Sequence, residues 1–330
     1  MKKTWEIGKK GVFITAIILS AILLSIPQIK LENPILLSER FFPGYGWIQI
    51  AIMSILAGFI AVNMLNINKI SRWRTATWTI FSLVFFSQLA LGLLGYEKFL
   101  MTGKLHLPIP AVVIAGAVYR FEIGFMPFLF LTTVLITGPA WCSQLCYFGS
   151  FDNLTSRIKK NKKRFRPPNL KIYRSLALTI FIIIVLILRF INLSLENTVI
   201  IAGVFGILGL LIILFVTPFI GKMTHCIYWC PLGAVLNYSR KINPFKMYID
   251  KNCINCMRCT AVCKYQAMEK TDLLKQKPGF TCTMCGDCIK VCPTDSIKYK
   301  LWNFSSENSR KIYIIIISAI YIVFLNMARI

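Results

Sequence analysis

The 330-residue chain is 56% hydrophobic and only 15% charged, a balance that excludes an ordinary soluble domain and points to several membrane-spanning helices. Its formal net charge of +25 raises nucleic-acid binding as an idea, but the placement of the basic residues accounts for the charge better, so no nucleic acid is expected as a partner. Seven stretches have the roughly 20 apolar residues that cross a bilayer as a helix. They are 11–29, 47–66, 75–95, 122–140, 173–193 and 199–220, then 312–328 after a cysteine-rich segment. The first lacks a small-residue cleavage site before Lys30 and more helices follow, so it is read as a membrane helix, not a signal peptide. A further apolar stretch, 105–120, is short and opens with Pro108 and Pro110, which marks a re-entrant or interfacial piece.

Placing the N-terminus inside and alternating through seven helices sorts the charges. Of 38 Lys and Arg residues, only Lys30, Arg40, Lys98, Lys104, Arg120, Arg189 and Arg329 fall outside, whereas the acids Glu32, Glu39, Glu97, Glu122 and Glu196 all do. This is the positive-inside pattern of a multi-pass protein of the cytoplasmic membrane, with its C-terminus outside. The basic run from Arg157 to Arg166 is a topology signal that anionic membrane lipid would reinforce. All twelve cysteines then lie on the reducing side, where metal binding is favoured over disulfides.

Two helix ends repeat each other. Cys142-Ser-Gln-Leu-Cys146-Tyr-Phe-Gly149 follows the fourth span and Cys226-Ile-Tyr-Trp-Cys230-Pro-Leu-Gly233 the sixth, and each leads to a Ser-Arg pair, Ser156-Arg157 and Ser239-Arg240. The region therefore reads as two copies of a two-helix unit related by a pseudo-axis. Cysteines four apart share one helix face, so Cys142, Cys146, Cys226 and Cys230 are expected to converge into a four-thiolate site. Such a site suits an iron–sulfur cluster, copper(I) or a dithiol relay. Inert buried cysteines are the plain alternative, which predicts no such symmetry.

The most informative segment comes next. Cys253, Cys256, Cys259 and Cys263 form one run, and Cys282, Cys285, Cys288 and Cys292 a second, closed by Pro293. Each has the C-x2-C-x2-C-x3-C spacing that holds a cubic [4Fe–4S] cluster, the fourth cysteine ligating the other cluster. One cluster is accordingly assigned to Cys253, Cys256, Cys259 and Cys292, the other to Cys282, Cys285, Cys288 and Cys263. Zinc sites use well-separated ligand pairs, unlike three cysteines packed into seven residues. Lys264 stands where the second run has proline, and its charge near a cluster would raise that cluster's potential.

Other candidates are weaker. The two histidines, His106 and His225, fall on opposite faces and cannot clamp one haem; His225 adjoins Cys226 and would tune that site. Trp47, Trp73, Tyr96, Tyr119, Tyr173 and Trp302 sit near helix ends as an interfacial belt. Arg120 and Glu122 would serve a quinone site or simply snorkel, the second being favoured.

Paired helix-end C-x3-C-x2-G motifs followed by a double cluster run resemble the NapH/MauN/NosR-type membrane-bound polyferredoxins, whose core the copper-oxidase assembly protein CcoG shares. The likeness spans residues 75–300. Tyr147 departs from it, standing where proline is usual, and the outer flavin domain of NosR-like members and the outer domain that follows the last helix in CcoG-like members are not expected here. The resemblance implies electron transfer between the inner face and a membrane or outer-face redox partner.

The expected architecture is mainly α: a polytopic helix bundle of about seven spans with an internal two-helix repeat and a small cytoplasmic-side dicluster ferredoxin-like α+β domain. Residues 1–70 hold two membrane helices, 71–245 a four-helix core, 246–302 the 2[4Fe–4S] domain and 303–330 a last membrane helix. The expected function is electron transfer from an acidic donor, such as a ferredoxin or flavodoxin, to a quinone or partner subunit, as a subunit of a larger redox system and not a stand-alone enzyme. The rival is a copper-handling reductase or metalloenzyme assembly factor fed by the clusters. A redox sensor is the third reading.

Overall fold

The computed structural model describes residues 2–31, 34–99, 107–122, 124–158 and 169–327. Glu32, Lys104, His106, Arg329 and the basic run beyond Ile158 lie outside them. Among the described residues seven helices are long and apolar enough to cross a membrane: Gly8–Lys30, Gly46–Leu65, Ile70–Leu93, Pro127–Thr155, Leu170–Phe190, Glu196–Ile220 and Ser306–Met327. The chain is mostly helical and a multi-pass membrane protein by these spans. The short apolar stretch forms the helix Pro110–Arg120, too short to span.

The helices gather into two compact units, Met1–His106 with Tyr299–Ile330, and Leu107–Lys298. In the first, Gly58 lets the helices Lys2–Lys30 and Gly46–Leu65 approach closely, since a Cβ there would lie 2.7 Å from the Phe13 ring. Lipid offers no hydrogen bonds, so polar groups are satisfied between helices. Arg310 donates to the carbonyls of Met64 and Leu65, Tyr321 to that of Thr77, and Gln49 to Asn326. Sequence placed the helix Ile70–Leu93 in the core 71–245; it packs in this unit instead, as does the last helix, Ser306–Met327.

The second unit joins the spans Pro127–Thr155, Leu170–Phe190 and Glu196–Ile220 to the cysteine-rich segment. The span Pro127–Thr155 breaks at Gly138 and the span Glu196–Ile220 ends at Gly221, glycines of positive φ, 56° and 66°. A side chain is strained there, and at Gly138 a Cβ would also meet Asn243 at 2.7 Å. Asn243 uses that space to cap the helix Phe125–Thr137, donating to the carbonyls of Leu135 and Ile136. Beyond the spans the strands β1 (Phe245–Ile249) and β2 (Ile297–Leu301) pair as a two-stranded sheet around the ferredoxin-type segment; the boundary between the units falls inside β2.

Candidate iron–sulfur sites

The two cysteine runs have the same backbone. Left-handed residues recur at equivalent places: Asn255 and Met284, Met257 and Gly286, Gln266 and Asp295. Left-handed turns on either side of the second cysteine curl each loop so that its first three sulfurs face one point. The fourth cysteine of each run leaves in extended conformation, Cys263 at φ −68°, ψ 109° and Cys292 at φ −80°, ψ 112°. Each of those sulfurs accepts an N–H four residues on, from Ala267 and Ser296, both at 3.3 Å. Such N–H donors favour thiolate over thiol.

The fourth cysteine of the first run turns to the second loop. Cys263, Cys282, Cys285 and Cys288 together line one hollow, with Met247, Tyr265 and Met268 in its wall. Burial pushes the Cys263 thiol up to about 11, opposed by the Ala267 N–H, raised by Cys282 and lowered by Lys222. Burial first, then Cys285, Cys282, Cys263 and Asp287 push Cys288 well above the ordinary thiol range. A soft, four-thiol hollow with an apolar wall fits a cubic cluster; thiols this reluctant to ionise give up their protons on metal binding. On the first loop Cys259 is raised by burial and by Cys253 and Cys256. That loop faces solvent: Cys256 is exposed, and Cys253 and Cys292 are half-buried. Among the described residues no three His, Cys, Asp or Glu side chains form a tight group of the kind that holds a single metal ion.

The helix-end pairs are built differently from the expected i, i+4 face of one helix. After Cys142, in the short helix Trp141–Gln144, the chain breaks, and Cys146 becomes the N-cap of Tyr147–Thr155 at φ −76°, ψ 114°. Cys226 lies in the π-turn His225–Trp229, and Cys230 caps Pro231–Ser239 at φ −74°, ψ 114°. Both breaks close with the same wide bond, Cys146 N to Trp141 O at 3.1 Å and Cys230 N to His225 O at 2.9 Å. Such π-turns concentrate at functional sites. Cys142, Cys146 and Cys226 are buried and Cys230 half-buried. They share one neighbourhood: burial raises the Cys226 thiol well above its usual value, and Asp152, Cys146, Cys142 and Cys230 all add to the effect. Burial also raises Cys230, against the N–H of Gly233, the charge of Arg174 and the N–H of Leu232.

Several supporting residues escaped the sequence reading. Asp152, wholly buried, accepts the Cys226 N–H at 2.9 Å and the Thr217 hydroxyl at 2.7 Å, joining the two repeats. Arg174, also buried, donates to the carbonyls of Cys226 and Ile227 at 3.0 and 2.8 Å. A lone Asp and a lone Arg beside a helix end carry no spacing signal. The Lys264 amine is buried on the carbonyls of Ser156 and Gly221, and a second cation, Lys222, is bonded to the carbonyls of Thr260 and Cys263 and lowers the Cys263 thiol. The cluster segment is seated on the helix ends by these lysines, by the ion pair Arg157–Asp287 at 3.0 Å, by Ser143 on the Thr283 carbonyl and by Tyr265 on the Cys142 carbonyl at 3.1 Å. His225 is buried against the Phe148 ring, and burial lowers it to about 4. Arg120 and Glu122 are exposed.

Comparison with known proteins agrees with this geometry. A 4Fe-4S binding domain model matches twice, at residues 121–166 and 202–248, which are the two helix-end repeats. A 4Fe-4S dicluster domain model matches residues 252–296. The chain is 27% identical over 60% of its length to an uncharacterized protein of Methanocaldococcus jannaschii, covering 80% of that protein. A second uncharacterized protein of that organism is 24% identical over 70% of this chain and 96% of its own length. YccM of Escherichia coli, named for a suggested role in electron transport, is 25% identical over 62% of this chain, which spans only 60% of YccM. No solved structure matches. The 4Fe-4S domain matches and the seven apolar helices support an iron–sulfur protein of the membrane with an electron-transfer role, similar to the polyferredoxins.

Proposed function

We propose that this membrane polyferredoxin relays electrons from an acidic cytoplasmic donor, through three ligand sets of four cysteines each, to a quinone or partner subunit in the membrane. Bound [4Fe–4S] clusters supply the one-electron chemistry; the chain supplies ligands, burial and order. Cys253, Cys256, Cys259 and Cys292 hold the outermost cluster, and Cys263, Cys282, Cys285 and Cys288 the next. Each helix-end repeat matches a 4Fe-4S binding domain yet brings only two cysteines. A cube takes four thiolates, so Cys142, Cys146, Cys226 and Cys230 hold one cluster between them. The observation that carries the order is the hydrogen bond from Tyr265, in the wall of the second hollow, to the carbonyl of Cys142.

The surface supports a docking side. The first loop presents exposed Lys251, Ile254, Cys256 and Arg258. Their equivalents in the second loop are Phe280, Thr283, Cys285 and Asp287, none of them exposed. One apolar knob between cations suits an acidic redox protein. The charge asymmetry of the sequence supports a cytoplasmic membrane location with the N-terminus and this loop inside and the C-terminus outside.

The relay is tested by reducing anaerobic protein with a low-potential ferredoxin and following cluster bleaching. Replacing Lys251 and Arg258 with Glu should slow reduction at least tenfold and flatten its salt dependence, leaving iron content unchanged. Reduction at an unaltered rate and salt dependence would refute docking at this loop.

A further inference from the structure

Arg174 clamps the Cys226 turn without a carboxylate partner among the described residues. It lies in the first turns of the span Leu170–Phe190 and is 4% exposed. A buried guanidinium is costly unless its charge is answered. One nitrogen is used on two carbonyls of the Cys226 turn. Its Nε has no hydrogen-bond partner although fully buried. Its Nη2 fills the space over Gly233, where a Cβ would approach it to 2.7 Å. The fork is therefore held against the site by a missing side chain, with its Nε–H donor left over.

A cube on four thiolates is a dianion when oxidised and a trianion when reduced. In a dry site that negative charge needs a fixed positive one, and the need grows by one charge when an electron arrives. We infer that Arg174 is the charge-compensating residue of the centre shared by Cys142, Cys146, Cys226 and Cys230, stabilising its reduced form and so setting its potential above the value the thiolates alone would give. Arg174 is a positioning and tuning residue; it ligates no metal. Lys222 is the matching cation one step outward, since its amine is bonded to the Cys263 carbonyl at 2.6 Å. The inference rests on the shared third centre proposed above.

The test is a potentiometric titration of anaerobic full-length protein by electron paramagnetic resonance, with iron counted, for wild type, Arg174→Lys and Arg174→Gln. Glutamine keeps a donor for the Cys226 carbonyl and loses the charge; lysine keeps the charge. The expected result is a lower midpoint for the third centre in Arg174→Gln, a near-normal one in Arg174→Lys, and unmoved midpoints for the two ferredoxin-segment centres. Loss of only the third centre's iron in Arg174→Gln, with retention in Arg174→Lys, supports the same role. Equal midpoints in all three proteins, or equal loss in both variants, makes Arg174 a carbonyl clamp and overturns the inference. A wild-type protein with only two centres would instead refute the shared centre itself and remove Arg174's role with it.

Discussion

Gly233 shows how little room the helix-end site leaves. A methyl group there would sit 2.7 Å from Arg174 Nη2 and 2.9 Å from the Cys226 carbonyl oxygen. Gly233→Ala should cost about 1–3 kcal/mol by overpacking and abolish the third centre's resonance, with the two ferredoxin-segment signals intact; a full set of signals would show that the fork is not held there. His225 makes a second prediction. Burial keeps its imidazole neutral down to about 4, whereas an unfolded chain takes up that proton near 6.5. The unfolded state therefore binds more protons in this window, so the stability the neutral ring contributes is whole above the unfolded value and drains away as pH falls towards 4. Melting temperatures in detergent between these pH values should fall less steeply for His225→Gln than for wild type. At this scale the matching backbones of the two cysteine loops were legible because the same spacing occurs twice. Arg174 and Asp152 were not, because a buried partner leaves no periodic mark; Arg174 read as one more inner-face cation.

The helix ends were half legible. Matched C-x3-C-x2-G motifs announced the repeat, but an unbroken helix would have set each cysteine pair on one face. The glycines of positive φ and the wide π-type bonds break the helices instead, making Cys146 and Cys230 caps of the next helices. Pro231 fits that break: its ring needs the extended backbone that Cys230 shows and costs no helical bond at the first position. Pro231→Ala should destabilise by roughly 0.4–1 kcal/mol through the unfolded chain without moving any midpoint potential. A shifted third-centre potential would show that the proline shapes the site directly. Tyr147 occupies the same place in the other repeat after an equally extended Cys146, which explains why the departure from proline leaves the two turns alike.

Across the whole molecule, apolar length alone gave the seven spans, because a bilayer leaves the backbone few options. The assignment of Ile70–Leu93 failed because sequence order does not say which helices pack together. The cluster segment is too small to bury much; cysteines occupy much of its interior, so its order depends on its cofactors. Stripping iron with a chelator under reducing conditions should open 251–298 to protease while the spans in lipid stay uncut; equal resistance with and without iron would contradict that dependence. The most direct measurement of the account is iron and acid-labile sulfide per chain in anaerobically purified protein, read beside its low-temperature electron paramagnetic resonance. Three cubes predict about twelve of each and three reducible signals. About eight, with two signals, would contradict the centre shared between the repeats, and iron-free, colourless protein would contradict the relay altogether.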